Sequence, residues 1–383
     1  MGRVLLHNAV LLDPEAAAPT PGSLLLADGR IAARLEPGQA SPGDAERVDL
    51  AGRGLAPGFL DLHFHGSLIF AGAEGFGAAL DEASASLLAH GTTAYLATTA
   101  AWSAAELAPR VARLAALLAE SREGAAAIGL HLEGPWISRE AAGAQPAAAI
   151  RDYDPVEGAE VLARGEGLVR MVTLAPERAG APALLAALEQ RGIVAALGHS
   201  AARAEQVESA VERGARHVTH LFNAMGTLHH RQPGLAGAAL CDDRLSCDLI
   251  CDGVHVDPRM VRLAARAKRD RLVLITDRVD LPDGEASFGS GALRDDGVAL
   301  RLADGRLAGS RVTLDRALRN ARVFAGLSLL EAVAACSLRP ARVLGVEAER
   351  GTLRQGARAD LVVLGDDGEV CETWLAGQRA FAA

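Results

Sequence analysis

The chain has 383 residues, half of them hydrophobic, and its formal net charge is −9 at pH 7. A chain of this length can bury a barrel of about 250 residues together with one smaller domain. The acidic balance without a basic tract argues against nucleic acid as a partner, and no apolar run approaches the ~20 residues that cross a bilayer.

The two ends of the chain are typical of short strands broken by turns. We predict strands over 4–12, 23–27, 30–35 and 47–50 near the N-terminus, and over 360–364, 370–374 and 379–381 near the C-terminus. Because both all-β ends flank a different middle, we predict one small β-sandwich domain made of residues 1–54 and 346–383.

The middle of the chain alternates between short apolar runs and helical stretches rich in Ala and Leu. Strands are predicted over 58–65, 93–99, 126–133, 168–175, 193–199, 216–222, 245–252 and 271–277. Helices are predicted over 78–90, 104–120, 181–191, 203–213 and 257–269. Eight strands that alternate with helices predict an α/β fold, a TIM-like (β/α)₈ barrel over 55–345, with a doubly wound open sheet as the alternative. The segment 284–309 is predicted as short strands and turns after the eighth strand.

The N-terminus and the cysteines predict the compartment. No long apolar segment precedes Asp13 and Glu15, so we expect no signal peptide. The five cysteines are odd in number and lie in apolar settings, which predicts buried thiols in a reducing compartment. We therefore expect a cytoplasmic protein.

The first barrel strand ends in a His-x-His pattern. Residues i and i+2 of a strand project to the same face, so His63 and His65 are expected to point together where the strand turns into a loop. Two converging imidazoles provide half of a transition-metal site, although paired histidines are also found as ordinary packing residues.

Other predicted strands also end in polar residues. Barrel enzymes carry their chemistry at the carboxyl ends of the strands. At those ends lie Glu133 on strand 3, His199 on strand 5, His220 on strand 6 and Asp277 on strand 8. Four histidines and two acids on one rim predict a divalent-metal site. Asp277 is the best candidate for a general acid or base beside a metal-activated water.

The only lysine of the chain, Lys268, bears on how two metals would be bridged. Several binuclear barrel hydrolases use a carbamylated lysine at the end of strand 4, but strand 4 has no lysine here. The bridge must then come from Glu133, or the site holds one metal. This argues against a dihydroorotase or hydantoinase.

Several runs resemble the motifs of one known family. These runs are 57–66 (Pro-Gly-Phe-Leu-Asp-Leu-His-Phe-His-Gly), 131–136 (His-Leu-Glu-Gly-Pro-Trp), 197–200 (Leu-Gly-His-Ser), 219–225 (Thr-His-Leu-Phe-Asn-Ala-Met) and 252–255 (Asp-Gly-Val-His). They are similar to those of the N-acetylglucosamine-6-phosphate deacetylases, in the amidohydrolase superfamily, along almost the whole chain.

The resemblance implies a role for each matching residue. Glu133, His199 and His220 would bind the main metal, and His63 and His65 a second ion that shares Glu133, although some relatives use one metal. Asp277 would be the general acid/base and is counted among the metal ligands. The implied ion is Zn²⁺ or Fe²⁺. Substrate contacts are implied for Ala144, Gln145, Asn223, Ala224, Arg231, His255, Leu307, Ala308 and Gly309, with Arg231 as a charged fork for phosphate.

The implied reaction is deacetylation of N-acetyl-D-glucosamine 6-phosphate by a homodimer, with His255 acting within one chain or across the dimer interface. Three departures keep the substrate open: Gln145 replaces a usual histidine, Arg278 follows Asp277, and the segment 67–70 is unusually apolar. By strand alternation, Arg278 is expected to face away from the site. The galactosamine analogue, another N-acyl amino sugar or amino acid, and a non-catalytic barrel are the alternatives.

Overall fold

Five strands begin the first sheet of the computed structural model, which describes residues 2–40, 43–120, 122–282, 286–288, 291–297 and 299–383. They are β1 (Val4–Leu11), β2 (Thr20–Ala27), β3 (Arg30–Leu35), β4 (Glu46–Asp49) and β5 (Gly54–Pro57). β1 pairs with β2 along one edge, and with β4 and then β5 along the other. The change of partner falls at an irregularity between Leu6 and Ala9, where Asn8 has a φ of 55°.

Eight strands form the barrel and pair in parallel, each with the next in the chain. They are β6 (Phe59–Gly66), β7 (Thr92–Thr98), β8 (Ala126–Glu133), β9 (Val169–Leu174), β10 (Val194–Leu197), β11 (His217–Val218), β12 (Ser246–Ile250) and β13 (Leu272–Ile275). After Asp277 the chain enters β14 (Arg278–Val279), which pairs in parallel with β6 and closes the ring. The predicted TIM-like barrel is confirmed.

Helices cover the outside of the barrel. They are α1 (Phe76–Ser86), α2 (Ala104–Leu118), α3 (Pro155–Arg164), α4 (Ala181–Glu189), α5 (Ala204–Glu212), α6 (Gly234–Cys241), α7 (Pro258–Lys268), α8 (Leu314–Ala325), α9 (Leu329–Cys336) and α10 (Leu338–Leu344). The apolar side chains of these helices and of both strand faces make one large buried core, as a parallel sheet covered by helices requires. Among the described residues, no helix is long and apolar enough to cross a membrane.

A small three-stranded sheet lies between β14 and α8. Its strands are β15 (Ser287–Phe288), β16 (Gly291–Asp295) and β17 (Leu300–Leu302), paired antiparallel. The predicted excursion over 284–309 is found here, although residues 284, 285, 289, 290 and 298 lie outside the described residues. This sheet carries the chain back to the barrel mouth at Leu307–Gly309.

The C-terminal strands return to the first sheet. They are β18 (Leu361–Leu364), β19 (Val370–Leu375) and β20 (Gln378–Ala382), and β18 pairs antiparallel with β5. Buried Leu6, Leu55, Leu361 and Trp374 belong to one core cluster made by both ends of the chain. Since β5 spans the predicted boundary between residues 54 and 55, the exact domain limits stay a prediction.

Candidate active site at the carboxyl end of the barrel

The six predicted metal-site residues meet at the carboxyl end of the barrel. His63 and His65 lie in β6, Glu133 ends β8, and the other three follow the ends of β10, β11 and β13. His199, His220 and Asp277 have φ values of 46°, 33° and 48°. Such left-handed backbone is uncommon outside glycine and is concentrated at functional sites. The chain turns at these residues, directly after the strand.

One cluster contains Glu133, His199 and His220. The Nε2 atoms of His199 and His220 each lie 3.0 Å from Glu133 Oε1 and 3.0 Å from one another. All three side chains are buried. One carboxylate oxygen and two imidazole nitrogens within this distance of one another are suited to a single divalent ion.

The second cluster contains His63, His65 and the same Glu133. The two Nε2 atoms are 3.1 Å apart, and His65 Nε2 is 3.3 Å from Glu133 Oε2. Asp277 Oδ1 lies 3.3 Å from His63 Nε2 and 3.2 Å from His65 Nε2. Glu133 therefore contacts both clusters, as a bridging carboxylate would. Its Oε2 faces His65, whereas its Oε1, which faces the first cluster, also lies 3.4 Å from His63 Nε2.

Two of the histidines have a tautomer fixed by a backbone carbonyl. His65 Nδ1 is 3.1 Å from the oxygen of Thr98, and His199 Nδ1 is 2.9 Å from the oxygen of Ala141. Because a carbonyl only accepts, Nδ1 carries the hydrogen in each ring. Nε2 is then free to bind a metal ion, which is the usual arrangement around ligating histidines.

The charges of the site favour a bound cation. Burial alone would raise the pKa of Glu133, but the facing imidazoles of His63 and His199 hold it well below its usual range. Burial also opposes the shift at Asp277, whose pKa His63 and His65 lower. Conversely, burial lowers the pKa of His65, yet hydrogen bonds to Asp277 and Glu133 raise it to about 10. Two buried carboxylates thus require positive charge, and a divalent ion would supply it in place of protons.

Two further aspartates accept hydrogen bonds from the backbone of the site histidines, and sequence reasoning did not single them out. Asp61 accepts from the backbone N of His63 at 3.1 Å and from the Thr276 hydroxyl at 2.5 Å, and burial raises its pKa to about 6. Asp248 accepts from the backbone N of His220 and lies 3.0 Å from His217 Nε2. For both residues, the sequence signal that could have indicated this role was a charged side chain inside a buried strand.

The lysine of the chain is remote from these carboxylates. Lys268 ends α7, and its Nζ donates to the carbonyl oxygens of Ala239 and Asp242 at 2.7 and 2.8 Å. It therefore completes the end of α6. Strand β9, which has no lysine, cannot provide a carbamylated bridge.

A cavity of about 240 Å³ opens above the clusters. Of the predicted substrate-binding residues, it is lined by Ala144, Gln145, Asn223, Ala224, His255, Leu307, Ala308 and Gly309. His255 Nδ1 is 2.6 Å from Asp252 Oδ2, so this carboxylate orients the ring. Arg306 also lines the cavity and was not predicted; its ion pair with Asp304 and its bond to the oxygen of Gly143 hold it at the rim.

Arg231 is the predicted contact that the structure does not bring to the cavity of one chain. Its side chain is exposed, and its Nη1 lies 3.1 Å from His230 Nε2. Arg278 is not among the residues that line the cavity, and its guanidinium pairs with Asp280 at 2.7 Å. The apolar segment after β6 contributes Ile69 to the cavity wall.

The chain is similar to known proteins along most of its length. Residues 55–380 match the model of the amidohydrolase family. The chain is 38% identical to N-acetylglucosamine-6-phosphate deacetylase of Homo sapiens, over 88% of this chain and 86% of that protein. It is 35% identical to N-acetylgalactosamine-6-phosphate deacetylase of Escherichia coli O157:H7, over 93% and 94%.

A solved structure shows the same fold over the full length. It is a mutant N-acetyl-D-glucosamine-6-phosphate deacetylase of Mycobacterium smegmatis in complex with N-acetyl-D-glucosamine-6-phosphate, with a TM-score of 0.89, 36% identity and full coverage of both chains. The chain is thus an amidohydrolase, a barrel hydrolase that acts on an amide C–N bond. Within that class it belongs to the N-acetylglucosamine-6-phosphate deacetylase family.

Proposed function

We propose that the chain hydrolyses the acetamide of N-acetyl-D-glucosamine 6-phosphate, giving D-glucosamine 6-phosphate and acetate in cytoplasmic amino-sugar catabolism. The observation that carries the proposal is the buried Glu133–His199–His220 cluster beside the Asp277 carboxylate, under one cavity in a member of this family. Family membership, together with the convergence of the residues that the chemistry needs, argues against a non-catalytic barrel.

Glu133, His199 and His220 would hold the main divalent ion. When bound, such an ion activates water and polarises an amide carbonyl. Asp277 is ionised at neutral pH, because the neighbouring histidines lower its pKa, and can accept a proton from the attacking water. The water oxygen joins the acetyl carbon, the C–N bond breaks, and Asp277 returns the proton to the departing amine nitrogen.

We propose that His63 and His65 give the site the capacity for a second ion, with Glu133 shared. The ligand chemistry suits Zn²⁺ or Fe²⁺, which both accept imidazole and carboxylate. Elemental analysis of protein purified without chelator, expressed as ions per chain, tests both the count and the identity.

The sugar epimer is a separate proposal. The 35% identity to an N-acetylgalactosamine-6-phosphate deacetylase makes that sugar phosphate the second candidate substrate. A single assay series with the gluco and galacto 6-phosphates, their unphosphorylated forms and an N-acetyl amino acid decides among the candidates by kcat/KM.

Arg231 provides the test of phosphate recognition. Because it lies outside the cavity of a single chain, we propose that it reaches the sugar phosphate in a homodimer. We expect Arg231→Ala to lower kcat/KM for the phosphorylated sugar about 10- to 100-fold, as loss of a charge-assisted contact worth about 1.5–3 kcal/mol implies. Steady-state kinetics on both sugar forms measure this.

The matched control is Arg266→Ala, which removes an exposed guanidinium from α7. The same kcat/KM in the Arg231 and control variants would contradict phosphate recognition by Arg231 and favour an unphosphorylated amide. Sedimentation of the native protein reports the dimer independently of activity.

A further inference from the structure

Gln145 contacts the shared carboxylate, where the sequence predicted a contact with substrate. The side chain is 7% exposed and lies in the loop that follows β8. Its Nε2 donates to Glu133 Oε2 at 2.5 Å, and its Oε1 accepts from the backbone N of Ala101 at 2.8 Å. Gln145 thus bridges Ala101, which follows the end of β7, to Glu133 at the end of β8.

The orientation of this amide is fixed by its two partners. The backbone N–H of Ala101 can only donate, and the ionised Glu133 carboxylate can only accept. A flipped amide would place two acceptors against each other at Glu133 and two donors against each other at Ala101. The carbonyl oxygen and one of the two amide N–H groups are therefore already used by the protein.

The loop that carries Gln145 is held close to the metal-site histidines. Gly143 has a φ of 58°, and a Cβ atom there would lie 3.2 Å from His199 Cε1, tighter than most real contacts. The backbone N of Gln145 donates to the oxygen of Ala142 at 3.0 Å, and Arg306 binds the oxygen of Gly143. Gln145 is thus anchored before any ligand enters.

The contact has a direct consequence for Glu133. A glutamate carboxylate rotates over a broad range about its last torsion, so its plane is set by what its oxygens contact. With Oε2 held by Gln145, Oε1 is directed to His199 and His220, 3.0 Å away from each Nε2. Hydrogen-bond partners of this kind orient ligands and tune metal affinity.

We propose that Gln145 is a positioning residue for the metal site, which acts through Glu133 and raises the affinity of the Glu133–His199–His220 cluster for its divalent ion. The inference rests on the proposed metal role of Glu133. In this role Gln145 acts before substrate binds, and the role is distinct from recognition of the sugar.

The test is metal affinity without substrate. In Gln145→Leu, and in Gln145→Met, which keeps the side-chain length, both amide hydrogen bonds are lost. We expect Zn²⁺ to bind about 10- to 100-fold more weakly than in the native protein, measured by competition with a chromophoric chelator. Gln190→Leu makes the same change at an exposed position after α4 and should leave the affinity unchanged.

Circular dichroism of the metal-free proteins verifies that each variant is folded before titration. Native affinity for Zn²⁺ in folded Gln145→Leu and Gln145→Met, with a raised KM for the sugar phosphate, would overturn the inference and return Gln145 to substrate binding. Failure of the native protein to bind Zn²⁺ would instead refute the proposed metal site. The two failures are thus distinguishable.

Discussion

Replacing Asp277 with asparagine is expected to lower kcat about 10²- to 10⁴-fold while the metal stays bound. Asparagine keeps the shape of the side chain but cannot take up the proton of the attacking water. The carboxylate is buried, and its Oδ1 lies 3.2–3.3 Å from the Nε2 atoms of His63 and His65. Burial opposes the shift, but these two histidines lower the pKa of Asp277 below its usual value. It is therefore ionised, and competent as a base, at neutral pH.

Steady-state kinetics and elemental analysis on the same Asp277→Asn preparation check this result. Native turnover with native metal content would remove Asp277 from the mechanism. Loss of metal together with activity would show that Asp277 acts chiefly as a ligand, the second role predicted for it. Asp367→Asn, an isosteric change in the turn before β19, is the matched control.

The barrel was predictable because most of its strands are short, mainly apolar or β-branched runs that alternate with helical stretches. β8 was predicted over 126–133 and is found as Ala126–Glu133, and β6 has all its residues buried. The deviations occur at the active site. The sixth strand was predicted over 216–222 but pairs only at His217–Val218, because the chain turns at His220 and again at Phe222, where φ is 78°.

That difference has a physical cause. A run of apolar residues predicts a strand regardless of its φ values, whereas the turns that aim His199 and His220 at Glu133 depend on tertiary contacts. The backbone N of His220, for example, donates to Asp248 of the neighbouring strand. The sequence therefore predicted which side chains meet, but the rule of strand alternation does not describe how these two reach the site.

Contacts between loops were beyond prediction for a related reason. Gln145 and Arg231 were both expected at the substrate, on family motifs alone. Side chains in loops follow no periodic pattern in the sequence, so the direction in which each one points could not be predicted. In the structure Gln145 lies against Glu133, whereas Arg231 is exposed on a single chain. Arg306 reaches the cavity through the small sheet between β14 and α8, an excursion whose path the strand pattern did not determine.

Glu133 is the residue whose replacement should affect the site most. Because the Glu133 carboxylate contacts both histidine clusters, Glu133→Gln is expected to weaken both candidate ion sites at once and to lower kcat about 10⁴-fold or more, through loss of the metal-activated water. His65→Asn, by contrast, affects one cluster and should leave the Glu133–His199–His220 ion in place. Ions per chain, measured for the three proteins, test the shared role: a Glu133→Gln variant with the native metal content would refute it. The Glu133→Gln protein should remain folded. His65 and His220 owe their raised pKa values partly to Glu133, so both rings can lose a proton when the charge of that carboxylate is removed.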